Sequence, residues 1–162
     1  MGERVVNDSE RWGPVGTFDA ADWLNAKQWS AHSLNTPNGT ILELVKPELV
    51  AFHAGRSELE EWSWLNENFL GCEWLVAGVH DYASWLEAIQ KPDCYTAEQY
   101  DAGGWQFATW ASMFGERFRI VSHSVVAGDH VRGEGKGKRD PGPGFDWDRF
   151  LESVDAWKAE LS

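Results

Sequence analysis

The stretch GKGKRDPGPGFDWDRF, residues 135–150, decides how the rest of the chain is interpreted. The prolines and glycines of residues 141–144 disfavour regular structure, and Asp146 can cap a helix that follows them. One interpretation is therefore simply the start of a terminal helix. The other is a catalytic site, because the stretch also places the cation Lys138 two residues before the carboxylate Asp140.

The composition predicts a single globular domain over residues 1–162, with residues 1–18 as an irregular lead-in. With 43% hydrophobic residues and 11 tryptophans, the chain is too apolar for a disordered segment. It contains no apolar run near the roughly 20 residues that cross a bilayer, so we expect no membrane partner.

The charge balance argues against nucleic acid as a partner. The net charge is −12, from 26 acidic and 14 basic residues, and cations cluster only in residues 131–139. Binding to a phosphate backbone relies on such clusters over a larger surface. One cationic loop on an acidic body can still attract a small anion.

The first residues carry no apolar stretch after their charges, which predicts a cytoplasmic protein without a secretory signal. Access to a cell wall would then need another delivery route. Cys72 and Cys94 form neither a disulfide framework nor a CxxC pair, so we expect reduced, buried thiols.

Hydrophobic periodicity and turn residues predict a mixed sheet flanked by helices, the α/β class. A capping box at residues 96–99 and the turn TPNG are the clearest signals. The predicted helices lie at 19–29, 80–90, from 97 to about 114, and at 147–160. The predicted strands are a hairpin at 31–34 and 40–45, a central strand at 69–78 and a strand at 117–122. An extended piece at 49–55, a loop at 56–68 and a glycine-rich loop at 122–144 connect them.

Packing expectations follow from these elements. The terminal helix should turn four residues inward, namely Phe150, Leu151, Val154 and Trp157. Gly103 and Gly104 weaken the preceding long helix but permit close packing of Tyr100 or Trp105 against a neighbour. Glu73 lies in the apolar central strand, where a carboxylate is costly unless it is paired or used.

His123 and Asp140 are the first candidates for chemistry. A histidine at a strand end and an aspartate fixed by proline are both ligand types that zinc accepts. Spacing alone favours a structural, hydrogen-bonded role for His123, because two residues are not a signature.

The order of several short segments resembles a known family. Those segments are SAH, NGTILELV, FHAG, N-x-N-x-x-G-x-E, YTAEQY, VSH and K-x-DPGP-x-FDW. Over roughly residues 29–150 they are similar to the zinc N-acetylmuramoyl-L-alanine amidases of the AmpD type, whose wider relatives include amidase-type phage lysozymes and peptidoglycan recognition proteins.

The resemblance implies a role for each matching residue. His123 and Asp140 would be zinc ligands, Lys138 a cation that stabilises the oxyanion, and Glu73 the general base, with its pKa raised by burial. His53 would line the substrate groove. The implied reaction is hydrolysis of the amide bond between N-acetylmuramic acid and L-alanine in peptidoglycan or muropeptides, as in a cytoplasmic recycling enzyme or a phage lysin.

Further residues are candidates for substrate contact. Lys136 and Arg139 lie on the cationic loop beside Lys138, where an anionic ligand would find them. Trp62 and Trp64 lie in a loop and would suit stacking on a sugar ring, although most tryptophans here, including Trp85, Trp105 and Trp110, are expected in the core.

The chain departs from the family at the first zinc ligand, a histidine that should precede His32. No histidine lies there, and the loop from His123 to Asp140 is longer than usual and contains His130. Three explanations remain open: His130 or His32 replaces the ligand, a partner chain supplies the missing strand and its histidine, or the metal site is lost and the groove binds a muropeptide or another small anionic ligand.

The simpler interpretations are structural. His32, in a hairpin strand, is more typical of a packed residue, His80 of an exposed one, and His130 of an ordinary loop residue. The basic run at 132–139 is typical of a solvated loop.

Overall fold

The computed structural model describes residues 30–79, 81–115 and 118–162. The lead-in, the predicted helix at 19–29 and His80 lie outside these ranges. The strands are β1 (Ser33–Asn35), β2 (Ile41–Glu43), β3 (Glu58–Leu59), β4 (Trp62–Ser63) and β5 (Cys72–Trp74), and the helices are α1 (Tyr82–Ala88), α2 (Ala97–Phe114), α3 (His123–Ala127), α4 (Asp129–Arg132) and α5 (Trp147–Leu161).

The main sheet has the strand order β2-β1-β5. β1 pairs antiparallel with β2, and the predicted hairpin is confirmed. β1 pairs in parallel with β5, which places Leu34 opposite Glu73. The mixed sheet with its helices confirms the α/β class. The predicted central position of the strand at 69–78 is wrong, because within the described residues β5 lies at the edge of the sheet and β1 lies in the middle.

The core forms where the sheet meets α2 and α5. Trp74, the last residue of β5, makes ring contacts with Tyr95, Phe145 and Phe150 at centroid distances of 5.0 to 5.8 Å. A Cβ on Gly103 would overlap the indole of Trp74. The prediction that a glycine here permits close packing is therefore right, although the partner is Trp74 and not Tyr100 or Trp105.

Helix α2 begins and ends where the sequence predicts. The side chain of Thr96 accepts a hydrogen bond from the Gln99 amide, and Gln99 bonds back to Thr96. The buried Gln99 side chain also donates to the carbonyls of Asn35 and Leu75, so the same residue ties the helix to β1 and to the end of β5.

Four predicted features are corrected. Residues 118–122 form no strand; they join α2 to α3, and Ile120 and Val121 contact the core through side chains without backbone pairing in the described residues. The loop predicted at 56–68 contains the β3–β4 hairpin, whereas the extended piece at 49–55 joins no sheet. Leu151 is 42% exposed, because the inward face of α5 follows Phe150 and Val154.

The fourth correction concerns the glycine-rich loop at 122–144, which contains α3 and α4. Ser122 caps α3 by accepting a hydrogen bond from the Val125 amide, and Gly133, with φ of 95°, ends α4. Gly128 and Gly133 thus lie at helix ends, where glycine is favoured, so a high glycine content does not by itself indicate irregular chain.

Cys72 and Cys94 are free thiols. Burial raises the pKa of Cys72 to about 12 and that of Cys94 to about 11, as expected of unreactive thiols. In the three described ranges, no helix has the length and apolar character needed to span a membrane.

Candidate metal centre and substrate cavity

A cavity of about 1000 Å³ lies beside the β5 edge of the sheet. Three elements bring chemical groups to it: β5 contributes Glu73, the start of α3 contributes His123, and the segment before α5 contributes Asp140. The cavity is large enough for a drug-sized ligand. Sequence reasoning placed these three residues in one site, and the structure brings them to one cavity.

His123 and Asp140 are in direct contact. His123 Nδ1 lies 3.0 Å from Asp140 Oδ2. The backbone holds the two segments together as well, since the Ser124 amide donates to the Asp140 carbonyl at 3.1 Å. The other carboxylate oxygen, Oδ1 of Asp140, is buried and has no hydrogen-bond partner among the described residues.

The pair is electrostatically unusual. Burial lowers the pKa of His123, and the Asp140 carboxylate opposes that effect. Burial alone would raise the pKa of Asp140, but the charge and hydrogen bond of His123, aided by Lys138, hold it below its usual range. Burial thus disfavours the charged imidazole, whereas the contact with His123 favours the ionised carboxylate, and a metal binds these two ligand types in their neutral and ionised forms respectively.

Lys138 lies next to the pair without lining the large cavity. Its backbone amide donates to the Ala127 carbonyl at 2.9 Å, and its charge lowers the pKa of both His123 and Asp140. The side chain lines a second cavity of about 570 Å³, together with His130 and Arg139.

Glu73 is 7% exposed and lies in the middle of β5. Strand alternation leaves it facing the opposite side from its neighbours Cys72 and Trp74, and it lines the same cavity as His123 and Asp140. A buried carboxylate at this position is the costly placement that the sequence indicated.

His53 and His32 form a neighbouring pair of rings, 5.6 Å apart and edge to face. His53 Nε2 donates to the Phe69 carbonyl at 2.8 Å, and burial lowers its pKa to about 4. A Cβ on Gly71 would lie 2.5 Å from Cγ of His53, so only glycine leaves room for this ring. His53 lines the cavity, where the resemblance placed it.

Neither proposed replacement ligand joins the pair. Both ring nitrogens of His32 are occupied by backbone: Nδ1 accepts from the Gly71 amide and Nε2 donates to the Leu49 carbonyl, each at 3.0 Å. His130 lies on α4 and lines the smaller cavity. In residues 30–79, 81–115 and 118–162 there is no group of three or more His, Cys, Asp or Glu side chains placed to hold a metal ion.

The other candidate contact residues are scattered. Trp62 lines the large cavity, while Trp64 is 64% exposed and does not. Arg139 donates to Asp129 at 2.9 Å, and Lys136 is exposed and lines neither cavity. Their roles stay predictions.

Sequence reasoning missed the contacts around Ala54. The Ala54 carbonyl lies 3.4 Å from His123 Nε2 and also accepts a hydrogen bond from Arg132 at 2.8 Å. The signal that pointed to this region was the unusual length of the loop between His123 and Asp140, which contains α4.

The donor chemistry of the pair fits part of a zinc site. Two donors of one tetrahedral zinc ion lie about 3.3 Å apart, close to the observed separation of Nδ1 and Oδ2. A buried Oδ1 of Asp140 that has no hydrogen-bond partner among the described residues also suits a carboxylate that binds a cation. His123 and Asp140 fit the group as two ligands; the described residues do not supply a third.

Comparison with known proteins identifies the family. The family described as N-acetylmuramoyl-L-alanine amidase (Amidase_2) matches residues 7–143, and the chain belongs to it. The match begins within the lead-in, earlier than the resemblance seen from residue 29.

The fold agrees with a solved structure described as the crystal structure of a Se-Met AmpD derivative, with a TM-score of 0.57 and 24% sequence identity. The alignment covers 78% of this chain and 60% of that one, so the chain spans less than two thirds of the solved protein. No curated protein matches the chain.

Proposed function

We propose that the protein is a zinc-dependent amidase that hydrolyses the bond between N-acetylmuramic acid and L-alanine in peptidoglycan or its fragments. The observation that carries this proposal is the His123–Asp140 contact in the same cavity as Glu73, with a buried Asp140 oxygen that no described residue hydrogen-bonds. Membership of the amidase family supports the reaction class.

The proposal assigns roles to residues of the chain. His123 and Asp140 would hold zinc, which when bound makes a water molecule acidic and polarises a carbonyl group. Glu73, across the same cavity, would take the proton of the attacking water and deliver it to the leaving amine. Lys138 does not line the large cavity, so it would act on the negative charge of the carbonyl oxygen through its electric field, as it already acts on both His123 and Asp140.

The cavity suits a substrate with a sugar and a short peptide. Its volume of about 1000 Å³ is at the upper end for small-molecule sites, and Trp62 and His53 are among the residues that line it. A half-exposed tryptophan beside a cavity can stack on a sugar ring, whereas the histidine offers a hydrogen bond.

Hydrolysis of purified peptidoglycan or a muropeptide, followed by mass spectrometry of new L-alanine amino termini, tests the proposal. Glu73→Gln should lower the rate about 100-fold or more, as expected for loss of a general base. Asp140→Asn should remove activity together with bound zinc. Glu87→Gln and Asp93→Asn, at exposed positions outside both cavities, are the matched controls and should keep the wild-type rate.

Full activity in both Glu73→Gln and Asp140→Asn would refute the assignment of these residues. A wild-type protein that leaves every muropeptide intact, although zinc is bound, would refute the amidase proposal itself.

A second candidate function is binding without hydrolysis. It is favoured by one observation, that the described residues provide two metal ligands and not three. In that case, calorimetry should show a muropeptide bound tightly with no turnover. Measurable zinc-dependent turnover would rule this candidate out.

A further inference from the structure

We propose that Arg132, on α4, is a positioning residue that holds the imidazole of His123 through the carbonyl oxygen of Ala54. The inference rests on the proposed function, because the ring is positioned for its role as a zinc ligand. It assigns a purpose to the long loop between His123 and Asp140, which the resemblance left unexplained.

Two hydrogen bonds connect Arg132 to His123 through the Ala54 carbonyl. Arg132 Nη2 donates to the Ala54 carbonyl at 2.8 Å, and Nε of the same side chain donates to the Arg56 carbonyl at 2.9 Å. His123 Nε2 approaches the Ala54 carbonyl at 3.4 Å, which makes a long and weak hydrogen bond. The Arg132 guanidinium thus binds two carbonyls of a single turn. The Ala54 carbonyl is the one that faces the His123 ring.

The turn is held from its other side as well. The amides of His53 and Ala54 both donate to Asn66 Oδ1, at 3.1 and 2.8 Å. Gly55, between the two carbonyls, has φ of 56°, and a Cβ there would lie 3.0 Å from Arg132 Nη2. The glycine therefore allows both the turn and the close approach of the guanidinium.

Helix α4 is itself anchored to the segment that carries Asp140. Asp129, its first residue, accepts hydrogen bonds from the Gly137 amide at 2.7 Å and from Arg139 at 2.9 Å. These bonds hold the pKa of Asp129 below its usual value, with the Gly137 amide as the largest cause. The helix that carries Arg132 is therefore held in place by hydrogen bonds. In sequence, Arg132 lies between the two proposed zinc ligands.

The contact between the Ala54 carbonyl and His123 matters because one ring nitrogen of a ligand histidine binds the metal and the other donates a hydrogen bond. If Nδ1, which faces Asp140, binds the metal, Nε2 must carry the proton and needs an acceptor. Such outer partners orient the ring, and their loss typically lowers metal affinity about 10- to 100-fold. The Ala54 carbonyl, held by its hydrogen bond from Arg132, is that acceptor. Without Arg132 this carbonyl would be free to move away from His123 Nε2, to which its contact is already long.

The test compares full-length wild-type protein with Arg132→Met, Arg132→Lys and the control Lys158→Met, an exposed cation on α5. Zinc affinity is measured by competition with a coloured chelator. We expect Arg132→Met to lower affinity about 10- to 100-fold, Arg132→Lys to recover part of the loss because it keeps one donor, and Lys158→Met to match wild type.

A second measurement separates positioning from general destabilisation and needs neither zinc nor hydrolysis. Long-range proton–nitrogen NMR spectra of the zinc-free proteins should show that Arg132→Met changes the Nε2 signal of His123 and leaves the ring signals of His32 unchanged. Unchanged His123 signals in a folded Arg132→Met protein would overturn the inference, as would an affinity within twofold of wild type. Neither zinc affinity nor the NMR signals depend on hydrolysis. An inactive enzyme would therefore count against the proposed function and not against the inference about Arg132.

Discussion

At the scale of single residues, the histidines divide by what their ring nitrogens contact. His32 is committed to backbone at both nitrogens and is structural, as its simpler interpretation predicted. His123 instead faces a carboxylate on one side and a distant carbonyl on the other. Motif order predicted which residues would meet at the site, but it did not predict Arg132, because a cation that acts through a backbone carbonyl leaves no residue pattern in the sequence.

His53 should make stability depend on pH. Its pKa is lowered to about 4 by burial, whereas the unfolded ring has a pKa of about 6.5. Between these values the unfolded state binds more protons, so stability falls as the pH falls. We expect urea unfolding to show a loss of about 2 kcal/mol from this ring alone between pH 7 and pH 5.

The variant His53→Gln, which keeps a donor for the Phe69 carbonyl, should reduce that loss. An exposed hydroxyl provides a control, since Ser112→Ala should retain the wild-type pH dependence. An identical dependence in His53→Gln and wild type would contradict the burial-based account of this ring.

At the scale of elements, local signals predicted well and long-range pairing did not. The capping box and Asp146 predicted the starts of α2 and α5, because a cap is formed by residues a few positions apart. The apolar run at 118–122 has the sequence pattern of a strand but forms none, because buried residues and paired residues give the same pattern in sequence. The sheet position of β5 could not be predicted either, since it depends on which strands its backbone meets.

Gly103→Ala in α2 should destabilise the protein. In an exposed helix this change gains about 1 kcal/mol, but here the new methyl group would overlap Trp74 at the centre of the core. We expect a net loss of about 1–3 kcal/mol by chemical unfolding. The control Ser112→Ala, at an exposed position of the same helix, should change stability by less than about 0.5 kcal/mol. Equal stability of Gly103→Ala and wild type would mean that α2 and β5 are less closely packed than described.

At the scale of the whole molecule, an acidic body carries one cationic run at residues 132–139. The net charge of −12 contrasts with Lys138 and Arg139, which line the smaller cavity beside the His123–Asp140 pair. Among the described residues the buried Oδ1 of Asp140 has no hydrogen-bond partner, which should cost stability until a cation binds, so folding and metal binding are expected to be coupled.

Zinc should therefore stabilise the whole fold. At a free concentration about 100 times its dissociation constant, a ligand that binds only the folded state adds about 2.7 kcal/mol. We expect the melting temperature to rise with added zinc, to fall with a chelator, and to be unaffected by either in His123→Ala. A chelator-insensitive wild-type protein would show that its stability does not depend on bound metal.

The most direct test of the central claim is the zinc content of the purified full-length chain, measured by plasma mass spectrometry beside His123→Ala and His130→Ala. We expect about one zinc ion per wild-type chain and its loss in His123→Ala, whereas His130→Ala should keep its zinc because His130 lines the smaller cavity and does not join the pair. A folded wild-type protein that takes up no zinc, even when zinc is supplied, would contradict the assignment of His123 and Asp140 as zinc ligands.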